Sequence, residues 1–160
     1  MGCESNSPCL QIDYSPRFAL TISLSRAQEY SKAGLRGVTE YFYAVVLRVS
    51  HPTGHFEYQA DDICFDREAF EHFATALRSL KVGNTDQAIL SGVGEMLSFS
   101  LQRKGRQLQA EVLIREYQPT DKETALSAGF EVDYDLFVNK LAAETLAFAQ
   151  ELKKVKPDQV

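Results

Sequence analysis

Apolar side chains recur at every second position along several segments of this chain and at every third or fourth along only two, a contrast that fixes the fold class. Phe18, Leu20, Ile22 and Leu24 alternate with Ala19, Thr21 and Ser23, which marks a strand with one wet face. Between 38 and 49, Tyr41-Phe42-Tyr43-Ala44-Val45-Val46-Leu47 is apolar on both alternating sets, predicting a central strand covered on both faces. The turn chemistry of His51-Pro52-Thr53-Gly54-His55 separates it from Phe56, Tyr58 and Ala60, whose alternation ends near Ile63, so the pair forms an antiparallel hairpin. A second hairpin joins Leu97, Phe99 and Leu101 to Leu108, Ala110, Val112 and Ile114 across Lys104-Gly105. Ala128, Phe130 and Val132 supply one more short strand.

Helical spacing appears twice. Phe70, Phe73, Leu77 and Leu80 follow Asp66, which stands where an N-cap is wanted, with Phe65 set to staple against Phe70 and Gly83 placed as a stop. Asp133 precedes Phe137, Leu141, Thr145 or Leu146, Phe148 and Leu152 in the same way, and Lys153, Lys154 and Lys156 lie where cations offset the negative helix end. The expected fold is α+β, an antiparallel sheet of about six or seven strands in two hairpin-containing groups with two amphipathic helices packed on it. Residues 1–16 read as a loose arm, 17–153 as a single domain with 25–37 as its longest internal connection, and 154–160 as a tail.

The chain is long enough, at 160 residues, to bury a core without a staple. It has no run of about 18 apolar residues and no basic, apolar, small-residue leader in its first thirty positions, so no membrane association and a cytoplasmic location are expected. Met1-Gly2-Cys3 resembles an acylation signal, but Asn6 stands where that pattern needs Ser or Thr. Cys3, Cys9 and Cys64 form an odd set, which predicts reduced thiols. A net charge of -5 repels a phosphate backbone, which argues against nucleic acid, and would steer a basic protein partner.

Few constellations suggest chemistry. His51 and His55 flank a turn that could bring both imidazoles to one side, yet two ligands make a weak metal site, and no metal or cofactor is expected. Asp61, Asp62, Glu68 and Glu71 gather at the first helix start and Glu131 and Asp135 at the second; acids there suit the helix dipole and also offer an acidic contact surface. Cys64 and His72 stand at a spacing that is not diagnostic of a nucleophile and its base, and a small buried Cys is the commoner outcome. Ser91-Gly92-Val93-Gly94 precedes a strand and lacks phosphate-loop geometry, and Arg103, Lys104 and Arg106 make a basic hairpin tip. Tyr41, Tyr43 and Tyr58 share one sheet face, either as an aromatic binding patch or as the surface on which helices pack.

The stretches Phe65-Asp66-Arg67-Glu68-Ala69-Phe70-Glu71-His72-Phe73-Ala74-Thr75-Ala76-Leu77 and Val132-Asp133-Tyr134-Asp135-Leu136-Phe137, set among short strands, resemble small bacterial immunity-type proteins of the WapI immunity group. The resemblance covers the two helices and the strand before each. It implies a non-enzymatic partner that binds and neutralises a toxin domain, and it carries over no functional residue. The resulting expectation is a non-catalytic protein-binding domain with an immunity-like or accessory role. The alternatives are a small-molecule-binding or hydrolytic domain with a pocket between sheet and helix, and a homo-oligomeric structural subunit; monomer and homodimer are both left open.

Overall fold

The computed structural model describes residues 6–15, 17–30, 37–105, 107–117, 123–132 and 134–159, with the backbone alone for 14–15, 116–117, 123–132, 134–136 and 159. The class is α+β, with antiparallel meanders and two helices. β1 (Cys9–Ser15), β2 (Phe18–Tyr30), β3 (Val38–His51) and β4 (Gly54–Phe65) form one sheet in that order, and a two-residue strand β9 (Asp158–Gln159) pairs in parallel with β2 at Gln28 and Glu29. β5 (Gln87–Ser91), β6 (Leu97–Lys104), β7 (Gln107–Tyr117) and β8 (Glu123–Val132) form the second. α1 (Ala69–Lys81) follows β4, and α2 (Tyr134–Lys153) follows β8. Four strands and a helix therefore occur twice in succession. The residues fall into two compact units, one reaching Arg67 and resuming at Ala147, the other Glu68–Leu146.

In the first unit the period of two is obeyed closely. Leu20, Ile22, Tyr43, Val45 and Leu47 are buried on one face, and Tyr43 meets Phe65 edge-on at 5.3 Å between ring centroids and Phe148 of α2 at 6.3 Å. Such aromatic pairs add roughly 0.5–1.5 kcal/mol each beyond the area they bury. β3 is an interior strand as expected, but it is not covered on both faces: Phe42, Ala44, Val46 and Arg48 on its other side are only half-buried.

The segment expected as a connection from 25 on is instead strand as far as Tyr30. A bulge between Leu24 and Arg26 shifts the phase, so the next buried residue after Leu24 is Ala27, and alternation counted from Phe18 fails there. Residues 9–15, read as part of a loose arm, pair with β2 and bury Leu10 and Ile12, and two tail residues form β9. Cys9 is disulfide-bonded and Cys64 is free, so the expectation of reduced thiols fails at Cys9.

The second unit buries Leu90, Phe99 and Val112 in one cross-strand row and Ala88, Leu101 and Ala110 in the next. Phe73 of α1 stacks edge-on against Phe99 at 5.9 Å. α1 starts two residues later than Asp66 predicts, with Glu68 at the N-cap position and no side-chain cap bond. Its end is as expected. Gly83 takes φ 80°, its N–H donates to the Leu80 carbonyl, and the Asn84 N–H donates to the Ser79 carbonyl, the two bonds of a Schellman motif. Arg103 from the β6–β7 hairpin also donates to the Leu80 carbonyl. β5 has no counterpart in the sequence reading because Ala88-Ile89-Leu90 is apolar without alternation, although only Ala88 and Leu90 are buried. Of the second staple, Val132-Asp133 with Phe137, only Phe137 has a described side chain, and it is buried; Asp133, the Val132 side chain and the tip residue Arg106 lie outside the described residues.

Candidate functional site

The half-buried face of the first sheet is built by two bulges at one level. β2 gains an extra residue between Leu24 and Arg26, and β4 gains one between Ala60 and Ile63, each next to the residue that pairs with Tyr43 on β3. Asp62, in the β4 bulge, adopts φ 60°, a left-handed conformation that Asp tolerates better than most side chains. The bulges turn Arg26 onto the outer face, where its guanidinium lies 4.3 Å from the centroid of the Phe42 ring and 3.3 Å from the Asp62 carboxylate.

Next to this cluster the outer face is short and apolar, with Ala19, Ala44 and Val46 half-buried beside Thr21 and Ser23. A second ion pair, Arg48 with Glu57 at 2.7 Å, closes the far side, and Gln59 also donates to Glu57 at 2.7 Å. The hydrogen bond from Arg48, then that from Gln59, holds the Glu57 carboxyl below its ordinary value. Both ion pairs are well exposed and screened by water, so they serve to shape the face more than to hold it. Cys64 lies opposite Phe42, and burial, followed by Glu40 and Asp66, pushes its thiol up, the reverse of what an attacking thiolate requires.

The expected acidic surface divides. Asp61, Asp62 and Glu68 are exposed and Glu71 is half-buried, with Asp62 engaged by Arg26. The side chains of Glu131 and Asp135 lie outside the described residues. Tyr41, Tyr43 and Tyr58 do share a face, since Tyr58 pairs with Leu47 on the side that carries Tyr41 and Tyr43. That face is the packed one: Tyr41 and Tyr43 are buried and Tyr58 is half-buried.

Register also separates the two histidines. His51 pairs with Gly54 and His55 with Ser50, so the imidazoles belong to opposite faces of the hairpin. The Nδ1 atom of His51 accepts from the Thr53 N–H at 3.3 Å and lies 2.8 Å from the Thr53 hydroxyl, which ties that ring into the turn. Among the described residues no group of three or more His, Cys, Asp or Glu is placed to hold a metal ion.

A cleft in the same unit is lined by Tyr41, Tyr43, Arg67, Ala149, Leu152 and Lys153 and encloses about one water's worth of space. Its floor is the four buried residues, and its exposed residues are the two cations. Burial raises the Tyr43 hydroxyl well above the ordinary tyrosine value, reinforced by Tyr41 and then Cys64.

The outer face is hidden in the sequence because Phe42, Ala44 and Val46 have the pattern of a second covered side. A signal existed: Arg48 and Glu57 each stand three residues outside His51 and Gly54, so a hairpin closed at that turn must set the opposite charges side by side.

No described helix is long and apolar enough to cross a membrane. No protein-family model and no curated protein matches the chain. Among solved structures, one titled as the structure of the plant transcriptional regulator PBF-2 is similar over 99% of this chain and 100% of that one, with 8% identity and a TM-score of 0.38.

Proposed function

We propose that this chain is a non-catalytic protein-binding domain that docks a partner on the outer face of its first sheet, with an immunity-like or accessory role as the sharpest form of the reading. The observation that carries it is the layout of that face. Phe42, Ala44 and Val46 make a half-buried apolar centre, and the Arg26–Asp62 and Arg48–Glu57 pairs make a charged border. An apolar centre inside a polar rim is how protein interfaces are organised. Asp61 and Asp62 at the border suit basic groups on the partner, as the net charge of -5 does at longer range.

The test is capture from the native cell extract with the tagged chain, read by mass spectrometry, and repeated with Asp61→Lys and Val46→Glu. A stoichiometric basic protein retained by the wild type and lost with either variant, both checked for folding, supports the reading. Retention by both variants would move the partner off this face, and specific turnover of a small substrate would end the non-catalytic reading.

The alternative of a ligand-binding or hydrolytic domain has one feature to stand on, the Tyr41–Tyr43 cleft. That cleft carries neither His nor carboxylate and holds little more than a water, so it leaves a substrate almost no room and offers only Tyr41, Tyr43 and Lys153 as proton donors or acceptors.

A further inference from the structure

Apart from the two-residue β9, the two sheets end among the described residues in four edge strands, β1, β4, β5 and β8. Three of them carry devices that discourage pairing with another chain. β1 has Asp13 and a bulge between Ile12 and Ser15; β4 has Glu57, Asp61, Asp62 and its bulge; β8 has Glu123 and Glu131. β5 has none: Gln87-Ala88-Ile89-Leu90-Ser91 contains no charge, no proline and no bulge, and Ile89 at its centre is 45% exposed.

The hydrogen bonds around β5 show which backbone groups face outward. The Gly92 N–H donates to the Leu97 carbonyl at 2.8 Å, and the Arg103 N–H donates to the Asp86 carbonyl at 2.8 Å. Even-numbered positions thus bond toward β6, and Gln87, Ile89 and Ser91 turn their N–H and C=O groups away from the sheet. Thr85 already occupies those of Gln87, accepting from its N–H at 3.1 Å and donating to its carbonyl at 2.6 Å. Beyond the strand, Val93 and Met96 extend the exposed apolar surface, and the turn that carries them is fixed by the Arg115–Glu95 ion pair at 3.0 Å.

We propose that two copies of this chain associate through β5, antiparallel across a two-fold axis at Ile89. The strand is suited to this because its pattern is symmetric about its middle residue. Ile89 pairs with its own copy, Ala88 with Leu90, and Gln87 with Ser91, which places small or apolar residues on the buried side and an isoleucine pair on the other. The central pair exchanges two backbone hydrogen bonds directly, and the Gln87 positions join once Thr85 releases them. The product is one eight-stranded sheet from two four-stranded ones. This inference does not rest on the docking face of the first sheet, which lies on other strands.

Sedimentation equilibrium of the 18.0 kDa chain tests it between roughly 1 µM and roughly 1 mM, the range of weak specific association. The wild type is expected to move from monomer to dimer, and Ile89→Lys to raise the dissociation constant by about tenfold or more through like charges at the axis. Near-UV circular dichroism establishes that the variant is folded. As a second measurement, Ile89→Cys is expected to form a covalent dimer on mild oxidation far faster than Phe56→Cys, whose position is equally exposed but lies on β4. A wild type that stays monomeric throughout, a dimer indifferent to Ile89→Lys, or equal cross-linking at both positions would overturn the proposal.

Discussion

Thr145 occupies a helical position that the apolar spacing of α2 reserves for a hydrophobic side chain, and it is fully buried while Leu146 beside it is not. Its hydroxyl makes no hydrogen bond in the described structure. A buried hydroxyl without a partner has lost its water for nothing in return, so Thr145→Val, which keeps the branched shape, is expected to stabilise the fold by about 1 kcal/mol. Chemical denaturation of the two proteins measures this, and a less stable variant would mean that the hydroxyl serves a purpose. Tyr43 offers a second test at the same scale. Its hydroxyl ionises near about pH 10 in the unfolded chain but only at higher pH when folded. Below that point both states are neutral and the residue contributes no pH dependence. Above it the unfolded state gives up a proton that the folded state keeps, so stability falls as pH rises, by at most about 1.4 kcal/mol per unit. Midpoints measured from pH 8 upward are expected to decline beyond 10, with a shallower decline in Tyr43→Phe.

Elements show where the sequence could be read and where it could not. The β3–β4 and β6–β7 hairpins follow from alternation broken by turn chemistry, and the end of α1 follows from Gly83, because each depends on residues adjacent in sequence. That dependence is quantitative: Gly83→Ala forces a Cβ into the left-handed region at φ 80° and is expected to cost about 1 kcal/mol, seen as a lower melting temperature. The half of β2 beyond Leu24 was not legible, since a bulge resets the phase and its buried residue is only an alanine. The start of α1 departs from the sequence expectation because Asp66 has the chemistry of a cap but not the position, which Glu68 takes. β5 was invisible because an exposed isoleucine between two buried neighbours erases the alternation. The outer face of the first sheet was hidden by a related ambiguity, as an apolar side chain at 42, 44 or 46 has the same appearance in sequence whether covered or half-open.

At the scale of the whole molecule, α2 is shared: its residues through Leu146 group with the second unit and those from Ala147 with the first. A proline at the junction removes one backbone hydrogen bond and collides with the preceding turn. Ala147→Pro is therefore expected to cost about 3 kcal/mol or more, and a urea titration followed by far-UV and near-UV signals reads whether the loss is one cooperative step. The repetition of four strands and a helix does not coincide with these units. α1 closes the first run of strands in sequence, yet its Phe73 and its C-terminal carbonyls are engaged by the second sheet. It is Phe148 in the last turns of α2 that packs on Tyr43 of the first.

That interleaving sets an order for folding on the ribosome. Residues 68–146 are contiguous, so the second unit has all of its chain as soon as Leu146 has cleared the exit tunnel. The first unit is begun at the outset but waits for Ala147 onward, and its β2 strand waits longest, since its partner at Asp158 lies about 130 residues downstream of Gln28. Domains usually mature in the order in which they are translated. Here the part made first would be the part finished last, leaving the Tyr43 face of its sheet without Phe148 while the rest of the chain is still being made.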